Sequence, residues 1–506
     1  MVDPPSVASR YRGTDEDFIS GLSSGIHKSG ISSIDGPSIP NLAIVSSLRN
    51  SEREIFYSTY WEDRCLPSLH PTFQKVSHLI REFAILNEAV LSLSACNMSR
   101  SNAEQRSLSP VSFMGAFSPD LTHQTRSEFY YSSAIKRFVQ LNARDIQSKQ
   151  LIIFIVLVLF ALLESARGNF EAFYCHVRGL TTLMGGKLSY PNHDPIVNGL
   201  LTALMQMQYW IWWARVYFSS LDVQLEPYPI VLPGGLARCG DNLYERRVAV
   251  LGILHESHQL HSRALLQHWN HDSQSTGIDL PRYSKLLEEE GKKLDKWVSG
   301  LPSSDQPLRY SSLEDDYGLD TLTKAELFQS HEAALNYAYY IIARITQCTG
   351  SLCLLSNHSQ NAIRHDHEEQ YWVRRLLGVA KGMDMKTCIA RNTYTIGISG
   401  LLMAALLRCQ DQHLGLWIEG WLLTLENIHP TEEGSFPVYQ LSTVARAVNQ
   451  QRLMGRDVFG VSLPVDDGGG SPKLRYYNSQ LISALLIHGR HRASGELYTD
   501  YVALGV

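Results

Sequence analysis

Thirteen consecutive apolar residues, Leu151 to Leu163 (LIIFIVLVLFALL), constrain this chain more than any other feature. As a helix they span about 20 Å, short of the roughly 30 Å hydrocarbon core of a bilayer. Lys149 and Glu164 close the run on both sides. A helix with no polar face has to be wrapped by other elements, so this segment is expected at the centre of a large packed core.

The surrounding sequence supplies those elements. From Ile44 almost to the C-terminus, apolar residues recur at helical spacing. Helices are expected near 124–144, 147–167, 170–185, 194–222, 241–268, 281–300, 319–349, 366–391, 394–410, 412–427, 436–455 and 475–489. Earlier, Leu48, Ile55 and Phe56 begin one stripe, with Ser51 and Glu54 as a capping box ahead of IFYSTYW. A further helix carries Phe83, Leu86, Val90 and Leu93. Gly168-Asn169 and Gly185-Gly186 read as stops. Only the Pro- and Gly-containing stretch near 225–240 offers room for short strands. No strand–helix alternation and no fixed-period repeat are present, which argues against a parallel sheet or a regular solenoid. The expected fold is all-α: a large, irregular multi-helix domain with helix hairpins and no substantial sheet. Residues 1–43 read as a disordered polar tail, 44–506 as the helical domain, and 97–122 and 462–472 as flexible loops within it.

Composition excludes some partners. The net charge is −5 and the pI about 6.4, so there is no strong positive field for phosphate backbones. Residues 1–41 carry only Arg10, Arg12 and Lys28 as strong positive charges, too sparse for a DNA-binding arm. No apolar leader opens the chain, and no membrane association is expected. The eight cysteines are scattered and mostly sit in apolar helical patterns, as reduced core residues do. A binuclear zinc cluster needs six closely spaced thiolates. The closest pair here is Cys348 and Cys353, with no second pair nearby.

Short motifs carry little chemistry. His255, His258 and His261 sit in HESHQLH, but Gln259 breaks the H-E-x-x-H pattern of a zinc protease. The run Arg364 to Glu369 holds ligand types at consecutive positions, which point in different directions on a helix. HGRHR (His488 to Arg492) fits the C-terminal end of a last helix, where positive charge complements the dipole. Gly21 to Gly25 matches G-x-S-x-G without the strand that a nucleophile elbow requires. Gly185-Gly186-Lys187 lacks the upstream Gly of a phosphate loop. No catalytic residue, metal or cofactor is assigned.

The aromatic stretch Tyr209-Trp210-Ile211-Trp212-Trp213 stands out. Trp210, Trp213 and Tyr217 share one helix face. A helix at the centre of the core accounts for it. The alternative is an aromatic wall for a small apolar ligand, with Tyr209, Trp210, Trp213 and His176 as its candidate side chains.

Four segments resemble the regulatory domain of fungal zinc-cluster transcription factors. They are EREIFYSTYWEDRCLPSL (Glu52 to Leu69), ILNEAVLSLSAC (Ile85 to Cys96), FYYSSAI (Phe129 to Ile135) and LFALLESARGNFEAFYCHVRGLTTLM (Leu159 to Met184). The last reads as a helix hairpin: Gly168 ends one helix, Phe170 and Phe173 re-enter the core, and Gly179 allows close packing. The resemblance covers about residues 45–220; beyond, only helical character and WIEGW (Trp417 to Trp421) agree. It implies a nuclear regulator of transcription in a fungal pathway. Its partners are other regulatory proteins or a second copy, with a small-molecule effector as a further option. Lacking the zinc cluster, the chain is expected to make no direct DNA contact through that module. Two other functions remain open on the residues alone. One is an enzyme or accessory protein of fungal secondary metabolism with a ligand pocket; the other is a dimerisation or scaffold module.

Overall fold

The computed structural model describes residues 42–101, 104–105, 117–185, 194–217, 219–226, 230, 242–270, 279–308, 323–355, 359–428, 432–434, 436–464 and 482–504. Residues 1–41 of the expected polar tail, Gly21 to Gly25 among them, Lys187, most of 225–240 and the Asp466–Gly470 loop lie outside them, whereas Leu42 and Ala43, expected in that tail, begin a helix. The chain divides into a unit ending at Glu52 and a second from Arg53 to Val506. In the first, the described residues are helical.

The fold is mostly α-helical, as expected. The N-terminal half runs α1 (Leu42–Tyr60), α2 (Thr72–Lys75), α3 (Ala84–Ser101), α4 (Leu121–Val139), α5 (Ala143–Ser148), α6 (Gln150–Arg167), α7 (Phe170–Gly185), α8 (Pro195–Val216), α9 (Leu221–Leu225) and α10 (Leu243–Asn270). Then come α11 (Leu280–Ser299), α12 (His331–Gln347), α13 (Gly350–Leu355), α14 (Ser359–Gly382), α15 (Met385–Arg391), α16 (Ile398–Arg408), α17 (Gln412–Glu426) and α18 (Val438–Leu453). Two short ladders pair β1 (Glu104–Gln105) with β2 (Phe117–Ser118), and β3 (Glu432–Glu433) with β4 (Phe436–Pro437). A three-stranded antiparallel sheet, β5 (Arg456–Ser462), β6 (Ala484–His491) and β7 (Leu497–Ala503), closes the chain in that order.

α6 is the buried hub. It is long and apolar enough to cross a membrane, yet 83% of it is buried inside the protein. Ile152 through Ala166 are all buried. α3, α7 and α8 pack on it. Gly168 ends it in the left-handed conformation (φ 69°), which costs glycine little. Phe170 and Phe173 then re-enter the core with no exposed surface. Gly179 is less demanding than expected. A Cβ there would lie 3.9 Å from Leu157 Cδ1, an ordinary contact, so the hairpin does not depend on that glycine.

Several boundaries depart from expectation. α1 passes through Ser51 without a break, so the capping box is not a helix start. Ile55 and Phe56 lie outward, while Tyr57 and Trp61 face the core at 3% exposure each. α3 continues past Asn97 to Ser101, since Asn97 accepts a hydrogen bond from Tyr60 Oη (2.7 Å) and stays buried. At the other end of that expected loop, Asp120 caps α4 by accepting from Thr122 N at 2.8 Å. The region 319–349 is helical only from His331.

The largest correction is at the C-terminus. Residues 484–489, expected in a helix, form strand β6, and β5 follows α18 directly. The HGRHR segment therefore ends a strand, not a helix. Gly455 (φ 76°) breaks α18. A run as short as ALLI fits a helix or a buried strand equally by periodicity. Pairing with β5 and β7 decides it, and that pairing is non-local.

Candidate functional site

Of the four side chains proposed as a ligand wall, three are core. Trp210 is 2% exposed, Trp213 is 0%, and Tyr209 is 6%. Trp213 packs on Tyr217 with ring centroids 4.6 Å apart, and Trp210 meets Tyr394 edge-on. Burial pushes the Tyr209 hydroxyl up to about 12. Gly252 sits against that ring: a Cβ there would lie 3.1 Å from the hydroxyl oxygen. His176 lies elsewhere, on α7. Its Nε2 is 2.9 Å from Tyr131 Oη, and its ring lies 5.3 Å from Phe160. Burial lowers His176 to about 4, so it is neutral at neutral pH. No contact joins it to the tryptophans among the described residues.

Two histidines of HESHQLH share an aromatic partner and the third turns to a different partner. All three are buried. His255 and His258 pack edge-on against Trp212, at 4.6 and 5.4 Å. His261 Nδ1 faces the Thr346 carbonyl at 2.9 Å, and its Nε2 faces Ser351 Oγ at 3.1 Å. A carbonyl only accepts, so Nδ1 carries the proton and Nε2 accepts from Ser351. Burial holds His258 and His261 well below the ordinary range. In the Arg364–Glu369 run, Glu368 is exposed and Glu369 buried, as divergent helix directions require. Among the described residues, no three His, Cys, Asp or Glu side chains are grouped to hold a metal.

Two other features present themselves. The first is a polar cleft where the turn after α1 meets α8, α10, α12 and the end of α15. It encloses about 40 Å³, room for roughly three waters. Arg247, His70, His331, Glu332 and Arg391 supply its polar lining. Burial lowers His70 to about 3, assisted by the nearby Arg247 charge. His331 is lowered by burial as well. Its Nε2 is 2.8 Å from Asn392 Oδ1, while Asn392 Nδ2 donates to the Glu433 carboxylate. The amide orientation is thereby set, so His331 Nε2 donates and its Nδ1 stays unprotonated. Arg391 Nη1 donates to Glu332 Oε1 at 2.6 Å at the cleft mouth. Arg247 Nε donates to Asn336 Oδ1 at 2.6 Å deeper in. The cleft thus offers guanidinium donors and neutral imidazoles, in a space that admits water or an ion.

The second is an exposed aromatic face on α1 and α4. Ile55 (67%), Phe56 (49%), Leu121 (68%) and Phe129 (61%) are open to solvent. Phe56 stacks on His123 at 6.3 Å. Phe56, Tyr57, Tyr130 and Phe129 form an unbroken chain of ring contacts between 5.2 and 6.0 Å. The chain joins the buried rings of Tyr57 and Tyr130 to the exposed ones of Phe56 and Phe129.

Sequence reading missed both features. The cleft draws on six segments, Leu162 of α6 among them, separated by up to hundreds of residues, and no local spacing marks it. Ile55 and Phe56 belong to the expected apolar stripe, Leu121 falls in the expected 97–122 loop, and no spacing marks Leu121 or Phe129 as part of a surface face. No family model, curated protein or solved structure matches this chain.

Proposed function

We propose that this chain is a regulatory module that acts through protein contacts, of the transcription-regulator kind. These 506 residues hold no run of six clustered cysteines. The observation that carries the reading is the exposed Ile55–Phe56–Leu121–Phe129 face. Contiguous apolar patches on a soluble surface mark partner sites, and aromatic side chains supply most of the binding energy at such sites. Two of the four segments that resemble fungal zinc-cluster regulators, Glu52 to Leu69 and Phe129 to Ile135, build this face. The small polar cleft lined by Arg247 and His331 supports modulation by a small effector or ion.

The test is to tether the full chain to a heterologous DNA-binding domain in a fungal host and read a reporter. A change in reporter output of several-fold, removed by Phe56→Asp with Phe129→Asp, supports the reading. Reporter output equal to that of the DNA-binding domain alone overturns it. Both positions are exposed, so the double variant should fold; an unchanged circular dichroism spectrum checks that.

A further inference from the structure

Arg247 of α10 is a buried cation whose partners are all neutral. The residue is 5% exposed. Its Nε donates to the Asn336 amide oxygen at 2.6 Å, and its Nη2 donates to the Glu332 carbonyl at 3.4 Å. Among the described residues, no carboxylate pairs with it and Nη1 has no hydrogen-bond partner. The acids around it are engaged elsewhere. The Glu332 carboxylate pairs with Arg391 and Asp305 with Arg246. Glu433 lies behind Asn392 and accepts from Asn392, Ile398 and Ser399. Removing a guanidinium from water is unfavourable unless a counter-charge offsets it.

Arg247 lines the polar cleft, and so does His70. His70 Nδ1 accepts from Thr72 N at 3.2 Å, so the ring proton sits on Nε2. That N–H has no partner among the described residues. One ring positions both donors: the Arg247 guanidinium lies 5.4 Å from the Tyr244 ring centre, and the His70 ring meets Tyr244 edge-on at 4.6 Å.

Size and charge narrow the ligand. The cleft encloses about 40 Å³, far below the range of sites for drug-sized molecules. Arg391 and Glu332 cancel, and burial keeps His70 and His331 neutral. Arg247 therefore leaves the lining with one net positive charge.

We propose that this cleft binds a small monoanion, a halide or the carboxylate of a one- or two-carbon acid, on Arg247 Nη1 and His70 Nε2. A dianion brings a second negative charge against the Glu332 carboxylate, and a cation meets Arg247. Charge-assisted N–H donors suit a single compact negative charge. The inference deepens the effector reading of this cleft. Its test is binding to the purified chain, so a silent reporter leaves it standing and an empty cleft leaves the partner face standing.

The experiment transfers the full-length chain to a chloride-free HEPES buffer, titrates sodium chloride and reads the chloride NMR line width. The expected result is broadening beyond the buffer blank with a Kd of about 10 mM or tighter. Sodium formate should displace it, and sodium sulfate at equal ionic strength should not. Bromide and acetate are run beside formate; the order of displacement separates a halide site from a carboxylate site, and either order supports a monoanion. Arg247→Met should abolish the formate-displaceable broadening. His70→Leu keeps the charge, removes one donor and should weaken binding about 10-fold. A line width equal to the blank overturns the proposal, as does displacement by sulfate as readily as by formate. So does an Arg247→Met protein that folds and broadens the line like the parent. If Arg247→Met does not fold, parental binding by His70→Leu overturns it instead.

Discussion

The Glu433 carboxylate caps α16 from a distance in sequence, accepting from Ser399 N at 2.9 Å and from Ile398 N at 3.2 Å. Ser399 Oγ and Asn392 Nδ2 donate to it as well. Glu433 is 1% exposed, so this buried charge is held by the positive end of a helix and four donors. Gly397 makes room for it: a Cβ there would come within 2.2 Å of Glu433 Oε2. Glu433→Ala should cost about 2–4 kcal/mol, since it strips a cap and leaves buried donors unpaired. Urea denaturation checks this; a midpoint equal to the parent's would contradict the capping role.

Gly489 separates the strand from the helix expected at 475–489. A Cβ at Gly489 would lie 2.2 Å from the Asp457 carbonyl oxygen and 2.5 Å from Tyr498 Oη. In a strand packed this closely, Gly489→Ala should destabilise by about 1–3 kcal/mol. In an exposed helix the same change would stabilise by up to about 1 kcal/mol. The sign of the shift in thermal midpoint therefore reads out the local structure.

Stability should fall on mild acidification. Burial lowers His70 to about 3 and His176 and His488 to about 4, with His258 and His261 also well below the usual range. The unfolded chain takes up these protons near pH 6.5, whereas the folded chain resists them. Between pH 6.5 and about 4 the unfolded state binds more protons, so stability decreases as pH falls. Denaturant midpoints at pH 7.5 and 5.0 measure it. The window down to pH 5 sits above most carboxylate titration, so equal midpoints would rule out the histidine contribution.

Trp213 should behave as core and not as a binding wall. It is 0% exposed and flanked by Trp212 and Tyr217. Trp213→Ala should cost roughly 3–5 kcal/mol. A stable Trp213→Ala protein with a near-parental unfolding midpoint would restore the pocket reading for this helix.

Much of the fold was readable because helices announce themselves locally. Leu151 to Leu163 demanded burial on all sides, and α6 provides it. Gly168 ended that helix where glycine tolerates the left-handed turn. The sites were another matter. His70, Arg247, His331 and Asn392 converge from segments far apart, and none carries a spacing that points to the others. Arg490 and Arg492 were read as a helix end, yet they share one carboxylate because Asp457 lies across the strand ladder.

The sequence by itself determined the helical class, the buried hub and most element positions, since periodicity and turn chemistry operate over a few residues. Tertiary structure alone decided that 484–491 is a strand, that Ile55 and Phe129 face outward, and where the charged cleft opens. Those outcomes turn on which distant surfaces meet, and the free energy of such pairing is written in no local stretch of the chain.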